Sequence, residues 1–446
     1  MQGEAFDTGL SSGVEIEDTT HVGFFDAGDV ICYPGINFDG VTSIEFQMAR
    51  GKDAPGRFAV LIDGVDPLGG MNIGEKETSD TGGWTEFAPL SIGFTREVQG
   101  VHTLCLFGVD GGGIGNVNQF TLSNQPADND GITDFRTPIP VNPPAVPAIT
   151  TQGNQVLFGG QPGSVAGMSF FWSSLGFGGE AFYNGGMVQY LKQDWNAKIV
   201  RAAIGAEDQQ DAMGVVTGAG YITQPFLNGI NMSRVVNAAI SNGMYVIVDW
   251  HTHDAEEHTE DAIRFFQEVA TKYGQFPNVI YEIYNEPDSI GWSGIKEYAE
   301  RVIPAIRAID PDNLIIVGTP TYSQDVDSAA QNPISAANIA YALHFYAGTH
   351  GESLRQKARQ ALNAGIPLFA TEWGTVSATG AGMVNTEETM RWMQFLKENN
   401  ISHANWSVSA QQSSSIGKRG ANPGGGWTDA DLSDSGRLVK SIVQSW

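Results

Sequence analysis

Two short stretches carry residue types able to do chemistry together. The first reads Val-Ile-Tyr-Glu-Ile-Tyr-Asn-Glu-Pro over 279–287, an apolar run that ends in Asn285-Glu286 and is stopped by Pro287. The second reads Leu-Phe-Ala-Thr-Glu-Trp-Gly over 368–374 and delivers Glu372 in the same way. Each reads as a buried strand with a carboxylate at its C-terminal end. Two carboxylates facing one cleft are the parts of a glycoside-cleaving site, one as nucleophile and one as acid and then base. Other polar and ring residues stand at equivalent ends of strand-like runs: Arg201, His251, Asn285, His344, Tyr346 and Trp406. A lone histidine or arginine there is ordinarily structural, but six such residues beside two glutamates read as one site. Asn285 suits a sugar 2-hydroxyl, while Arg201 and Tyr346 are placed to keep Glu372 ionised, so that Glu286 holds the proton.

Presenting these residues together requires a particular scaffold. From about 152 onward, strand-like runs at 167–172, 199–205, 245–251, 279–286, 314–320, 339–346, 368–374 and 404–409 are separated by helix-like stretches. Ile263, Phe266, Ala270 and Tyr273 share one helical face, and Ile295, Tyr298, Val302 and Ile306 share another. Eight strand-helix units in this length predict a (β/α)8 barrel, whose active sites sit at strand C-termini. Ahead of it, 1–123 shows short alternating strands between Gly, Asp and Asn turns and predicts a β-sandwich. Between them, 124–150 carries Pro126, Pro138, Pro140, Pro143, Pro144 and Pro147 and reads as an extended linker. The catalytic domain is expected over 151–446.

Composition narrows the function classes. The 446 residues carry 50 acidic against 24 basic side chains, a net charge of −26, which argues against nucleic acid and anionic membrane surfaces as partners. A neutral polymer is compatible. No apolar run reaches the length of a membrane span. The start at Met1-Gln2, directly into domain-like sequence, is expected of a secreted protein in its mature form. The two cysteines, Cys32 and Cys105, are either a disulfide or two buried thiols.

Family resemblances sharpen these expectations. Asn285-Glu286-Pro287, Thr371-Glu372-Trp373-Gly374, Asp249-Trp250-His251, Val200-Arg201-Ala202-Ala203, His344-Phe345-Tyr346 and Asn405-Trp406-Ser407 resemble glycoside hydrolase family 5. Segments 318–325 and 425–432 are similar to bacterial cellulases of its second subfamily. The resemblance implies Glu286 as acid/base and Glu372 as nucleophile, with Arg201, His251, Asn285, His344, Tyr346 and Trp406 supporting or binding substrate. Tyr322 stands where those cellulases carry a tryptophan on the leaving-group side. His251-Thr252-His253 has the look of a metal pair, but the resemblance makes His251 a sugar ligand, and it implies no metal or other cofactor for catalysis.

Residues 4–5, 22–29, Tyr33, 81–84 and 116–120 resemble carbohydrate-binding module family 6. That resemblance implies a sugar held by Tyr33, Asn116 and either Trp84 or Phe87. It allows a structural calcium near the N-terminus, although Phe6 follows Glu4-Ala5 where the family has a second acid. The implied activity is a secreted, retaining endo-β-1,4-glucanase acting on cellulose or another β-glucan. Departures bear on specificity: Leu175 replaces a stacking tryptophan, and Ala410-Gln411-Gln412 replaces an Asp-Lys pair and a nearby Glu that hold the distal donor sugar. A mixed-linkage β-glucanase or β-mannanase is the same-chemistry alternative, and a non-catalytic polysaccharide-binding protein is the alternative from another class.

Overall fold

The computed structural model describes all residues except 1–4, 9–10, 18–19, 27, 53–55, 64–70, 96, 111–112, 128–139, 141 and 212. Of the residues quoted above, Met1, Gln2, Glu4, Ala27 and Pro138 lie outside the described residues. The chain divides into two compact units, Met1–Arg136 and Thr137–Trp446.

In the first unit, period-two alternation makes two antiparallel sheets. One orders Glu15–Glu17, His21–Gly23, Asn116–Ser123, Ser43–Arg50 and Gly83–Gly93; the other orders Val30–Asn37, Val101–Asp110, Gly56–Ile62 and Met71–Thr78. Their inward residues, among them Phe46, Phe58, Leu106 and Phe120, form a single buried core. Cys32 and Cys105 are paired residues of adjacent strands and are joined by a disulfide.

The second unit is a closed barrel of eight parallel strands: β1 (Ala166–Phe170), β2 (Ile199–Gly205), β3 (Tyr245–His251), β4 (Val279–Glu282), β5 (Ile315–Val317), β6 (Ile339–Tyr346), β7 (Leu368–Gly374) and β8 (His403–Val408). Alternation is hidden in the sequence because both faces of every strand are buried. Val246 and Val248 of β3 face outward to the helices, whereas Ile247 points into the barrel beside Ile199, Ile280, Ile316 and Phe369. A small sheet of Ile149–Gln152, Gln155–Phe158 and Gln161–Pro162 adds Ile149 and Val156 to that inner layer. The end of the proline-rich stretch is therefore not a free spacer: the Tyr245 hydroxyl donates to the Pro147 carbonyl at 2.7 Å, and Asn338 donates to that of Ile149 at 2.9 Å.

Helices Thr259–Tyr273 and Trp292–Arg307 bury Phe266, Ala270, Tyr273, Ile295, Tyr298, Val302 and Ile306, as their spacing requires, while Ile263 stays half-buried. Strand β4 is shorter than expected, so Glu286 lies four residues beyond its end. The pairing nonetheless continues locally, because Ile283 donates to the Ile316 carbonyl at 3.0 Å. Among the described residues no helix is long and apolar enough to cross a membrane. Replacing both Cys32 and Cys105 by alanine is expected to destabilise the first unit by about 2–4 kcal/mol, read as a lower denaturant midpoint that reducing agent reproduces in the parent protein.

Candidate active site

Two residues above the apolar inner layer, period two puts polar side chains at the same depth. Ile199 is followed by Arg201, Ile247 by Asp249 and Ile280 by Glu282, and all three polar residues are fully buried. Arg201 engages all three nitrogens of its guanidinium. Nε binds Glu282 at 2.7 Å, Nη1 binds Ser169 at 3.3 Å and Glu372 at 3.2 Å, and Nη2 binds Asn285 at 2.6 Å and Asp249 at 2.9 Å. One cation thus orients three carboxylates and an amide coming from four different strands or strand ends. Asn285 then has its Oδ1 engaged, while its buried Nδ2 has no partner among the described residues.

Glu372 receives a second bond from the Tyr346 hydroxyl, 2.6 Å from its Oε1. Glu286 approaches from the β4 side, and an oxygen of each glutamate lies within 4.8 Å of the other. His344 Nδ1 is 2.9 Å from Glu286 Oε1, and its Nε2 is 2.8 Å from the Thr371 hydroxyl. Thr371 donates its single proton to Glu282 at 2.6 Å, so it accepts from His344, whose Nε2 carries a hydrogen. His251 is bonded by Nδ1 to Asp249 at 2.6 Å and stacks on Trp406 at 5.2 Å. Burial, reinforced by the Arg201 charge, keeps His251 neutral.

The two glutamates are shifted in directions not expected from sequence. Burial pushes the Glu286 carboxyl up, but the His253 and His344 rings outweigh it and hold it down at about 2. Burial and the Glu286 charge raise Glu372 despite His344, Arg201 and Tyr346. His344 is lifted to about 9: burial opposes its charge, and Glu282 and Glu286 overcome that. Sequence reasoning assigned no cationic partner to Glu286, and the structure supplies two.

All nine barrel residues singled out from sequence converge here. Two hollows flank the glutamates. Phe171, Trp172, Phe177, Gln209, Trp406 and Gln412 line one, and Tyr322, Gln324, His344 and His350 line the other. The Tyr322 ring, 42% exposed, is presented by three successive left-handed residues, Thr321, Tyr322 and Ser323, at φ 58°, 57° and 56°. Such a turn costs of order 1–3 kcal/mol per residue, offset in part by bonds from Tyr322 N to Pro287 O at 2.8 Å and from Ser323 Oγ to Asn285 O at 2.7 Å. Leu175 bridges to Ala219 rather than lining the hollow; Phe177, stacked on Phe171, lines it instead. Asp249, Glu282, Thr371 and His253 stand in stretches quoted from sequence but were given no role in this site. The signal available for the first two was an acid embedded in an apolar strand.

In the first unit the outcome is mixed. Tyr33 is fully buried and packs edge-on against Phe120 at 4.8 Å, so it is a core residue and not a sugar ligand. Strand Val30–Asn37 turns that ring inward. Phe87 lies against His21 at 5.3 Å, apart from the hollow that contains Trp84 and Asn116. That hollow is also lined by Glu17, Phe24, Asp26 and Lys52. Phe24, 58% exposed at φ 58°, is the second ring, in place of Tyr33. Asn116 Nδ2 donates to the Trp84 carbonyl at 2.9 Å and to Glu17 at 3.1 Å. Phe6, at the position where an acid would serve a calcium, packs against the sandwich core.

Arg201→Lys removes the fork while keeping the charge. It is expected to lower kcat about 100-fold through misplaced carboxylates and to destabilise the barrel by about 3–5 kcal/mol, measured by steady-state kinetics and denaturant unfolding.

Comparison with known proteins agrees with this geometry. The family model described as cellulase (glycosyl hydrolase family 5) matches residues 156–412, and that of carbohydrate binding module family 6 matches 4–124. Endoglucanase Z of Dickeya dadantii is 55% identical over 304 residues, 68% of this chain and 67% of that protein. Endoglucanase A of Evansella cellulosilytica is 45% identical, the match spanning 59% of this chain and 53% of that relative. Among solved structures, the catalytic domain of Thermobifida fusca endoglucanase Cel5A is 33% identical with a TM-score of 0.61, covering 67% of this chain and 97% of that one. A barrel with paired strand-end glutamates around a buried arginine, preceded by a sandwich with an exposed ring pair, places this chain in glycosyl hydrolase family 5 with a family 6 carbohydrate-binding module at its N-terminal side.

Proposed function

We propose that the protein is a secreted, retaining endo-β-1,4-glucanase. The observation that carries this reading is the pair of carboxyl oxygens, Glu286 and Glu372, within 4.8 Å of each other between two hollows. That spacing suits direct attack on the sugar and leaves no room for a water between carboxylate and ring, as inversion would need. Glu372 attacks the anomeric carbon while Glu286 protonates the departing oxygen; Glu286 then takes a proton from the water that releases the glycosyl-enzyme. The unpartnered Asn285 Nδ2 suits the 2-hydroxyl, an interaction that strengthens in the transition state. Both proton transfer and nucleophilic attack use side chains, so the chemistry calls for no cofactor. Hollows on both sides of the glutamates let a chain run through, which supports internal cleavage.

On the donor side, Trp172 and Phe177 supply apolar faces and Gln209 and Gln412 supply uncharged amides. Rings that cover a sugar's C–H face, with amides for its hydroxyls, support a neutral β-glucan as substrate despite the absent charge pair. In the sandwich, Phe24, Trp84 and Asn116 are the proposed sugar-binding residues, and Phe6 supports a module without the N-terminal calcium. Tethering would raise the local concentration of enzyme on polymer. The disulfide supports an oxidising, extracellular destination.

Rapid viscosity loss is expected on carboxymethylcellulose, abolished by Glu372→Ala, with weaker action on lichenan and mannan. Activity confined to lichenan or mannan would replace the β-1,4-glucan assignment, and equal activity in Glu372→Ala would remove the mechanism. For the module, Trp84→Ala should weaken retention of the full chain on insoluble glucan by roughly tenfold, from the loss of about 1.5 kcal/mol of ring contact, measured by depletion isotherms.

A further inference from the structure

Glu286 meets two imidazoles. His344 bonds its Oε1, and His253 Nε2 lies 3.5 Å from its Oε2. His253 stands on the connection that follows β3. The Tyr284 hydroxyl donates to its carbonyl at 2.7 Å, and its ring sits edge-to-face with Trp172 at 6.2 Å and Tyr322 at 5.9 Å. Its side chain is 38% exposed, whereas that of His344 is 2% exposed. His253 lines both hollows and so stands where they meet.

Hydrogen-bond counting locates the acid's proton. His344 Nε2 donates to Thr371, and its Nδ1 faces Oε1, so a proton presented to the cleft by Glu286 must sit on Oε2. Oε2 is the oxygen that His253 faces. A proton shared by these two groups is carried either as imidazolium with carboxylate or as imidazole with carboxylic acid.

We propose that His253 holds the proton of the general acid while the cleft is empty and returns it to Glu286 Oε2 when a leaving-group sugar covers the pair. The proposal rests on Glu286 acting as the acid. In the first step the Nε2–H bond breaks as Oε2–H forms, and the same proton passes to the glycosidic oxygen, which keeps the electron pair of the broken C–O bond. His253 is left neutral. In the second step water gives a proton to Oε2 as its oxygen displaces Glu372, and that proton returns to Nε2. Water is the only co-reactant, as in hydrolysis itself.

The surroundings fit such a reservoir. Partial burial opposes the His253 imidazolium, but Glu286, Asp288 and Glu372 favour it and prevail. A sugar over the exposed ring removes water and tilts the balance toward the uncharged pair. This makes His253 a positioning residue that acts through Glu286.

The test compares full-length wild type with His253→Gln on cellopentaose and on 2,4-dinitrophenyl β-cellobioside across pH. Dinitrophenolate departs without a proton, and its burst amplitude counts folded sites. On cellopentaose, kcat/KM per folded site is expected to fall about tenfold further than on the aryl substrate. Its alkaline limb should also move to lower pH, because His253, raised above its ordinary value by the surrounding carboxylates, retains a proton to higher pH than the Glu286 carboxyl does alone. Equal losses on both substrates with an unmoved limb, or a loss confined to KM, would overturn the proposal. Wild type inert on both substrates would remove the acid assignment and the proposal with it.

Discussion

A fully buried guanidinium at the mouth of the barrel is the constraint on which the site depends. Arg201 brings a charge into a medium where it costs several kcal/mol to be unpaired. All three of its nitrogens are engaged, in hydrogen bonds to Glu282, Ser169, Glu372 and Asn285 and in an ion pair with Asp249. Those partners come from β1, β3, β4, β7 and the segment after β4. Satisfying one planar fork therefore sets the relative positions of groups far apart in sequence. Glu372 is held by this arrangement and by the Tyr346 hydroxyl, and the Asn285 Nδ2 is left without a partner among the described residues.

The second organising feature is the chain of protons that runs outward from Glu282. Thr371 donates to Glu282, His344 to Thr371, and Glu286 faces His344 on one oxygen and His253 on the other. Because each hydroxyl and ring nitrogen has a limited number of protons, the identity of each donor follows from its neighbour. Burial and the Glu286 charge raise Glu372, while the two histidines pull Glu286 down, so Glu286 is the more acidic of the pair. The histidines therefore set the acidity of Glu286.

Both units show how neighbouring residues exchange duties. In the barrel Leu175 turns to Ala219, and Phe177 lines the cleft two residues later. In the sandwich Tyr33 turns inward and Phe24 is displayed by a left-handed backbone. In each case strand parity or a local turn, and not residue type, selects the ring that meets solvent. A tyrosine in an alternating strand has two directions to face, and only the opposite sheet settles which.

The division between sequence and structure follows from what each can encode. Eight apolar runs with polar ends, two helical faces and a proline-rich break were legible because hydrophobic period and turn chemistry are local. So were Glu286, Glu372 and the residues at the strand ends around them. Asp249 and Glu282 stood in quoted stretches but drew no role, because strands buried on both faces show no alternation that tells which way an internal acid points. The partners of Glu286, and with them its acidity, were decided by tertiary structure alone: His253 and His344 are brought to its two oxygens by closure of the barrel. Sequence determined which groups could carry charge in this site, and the fold decided which of them hold it, because a pKa in a buried cleft is set by neighbours that lie far away along the chain.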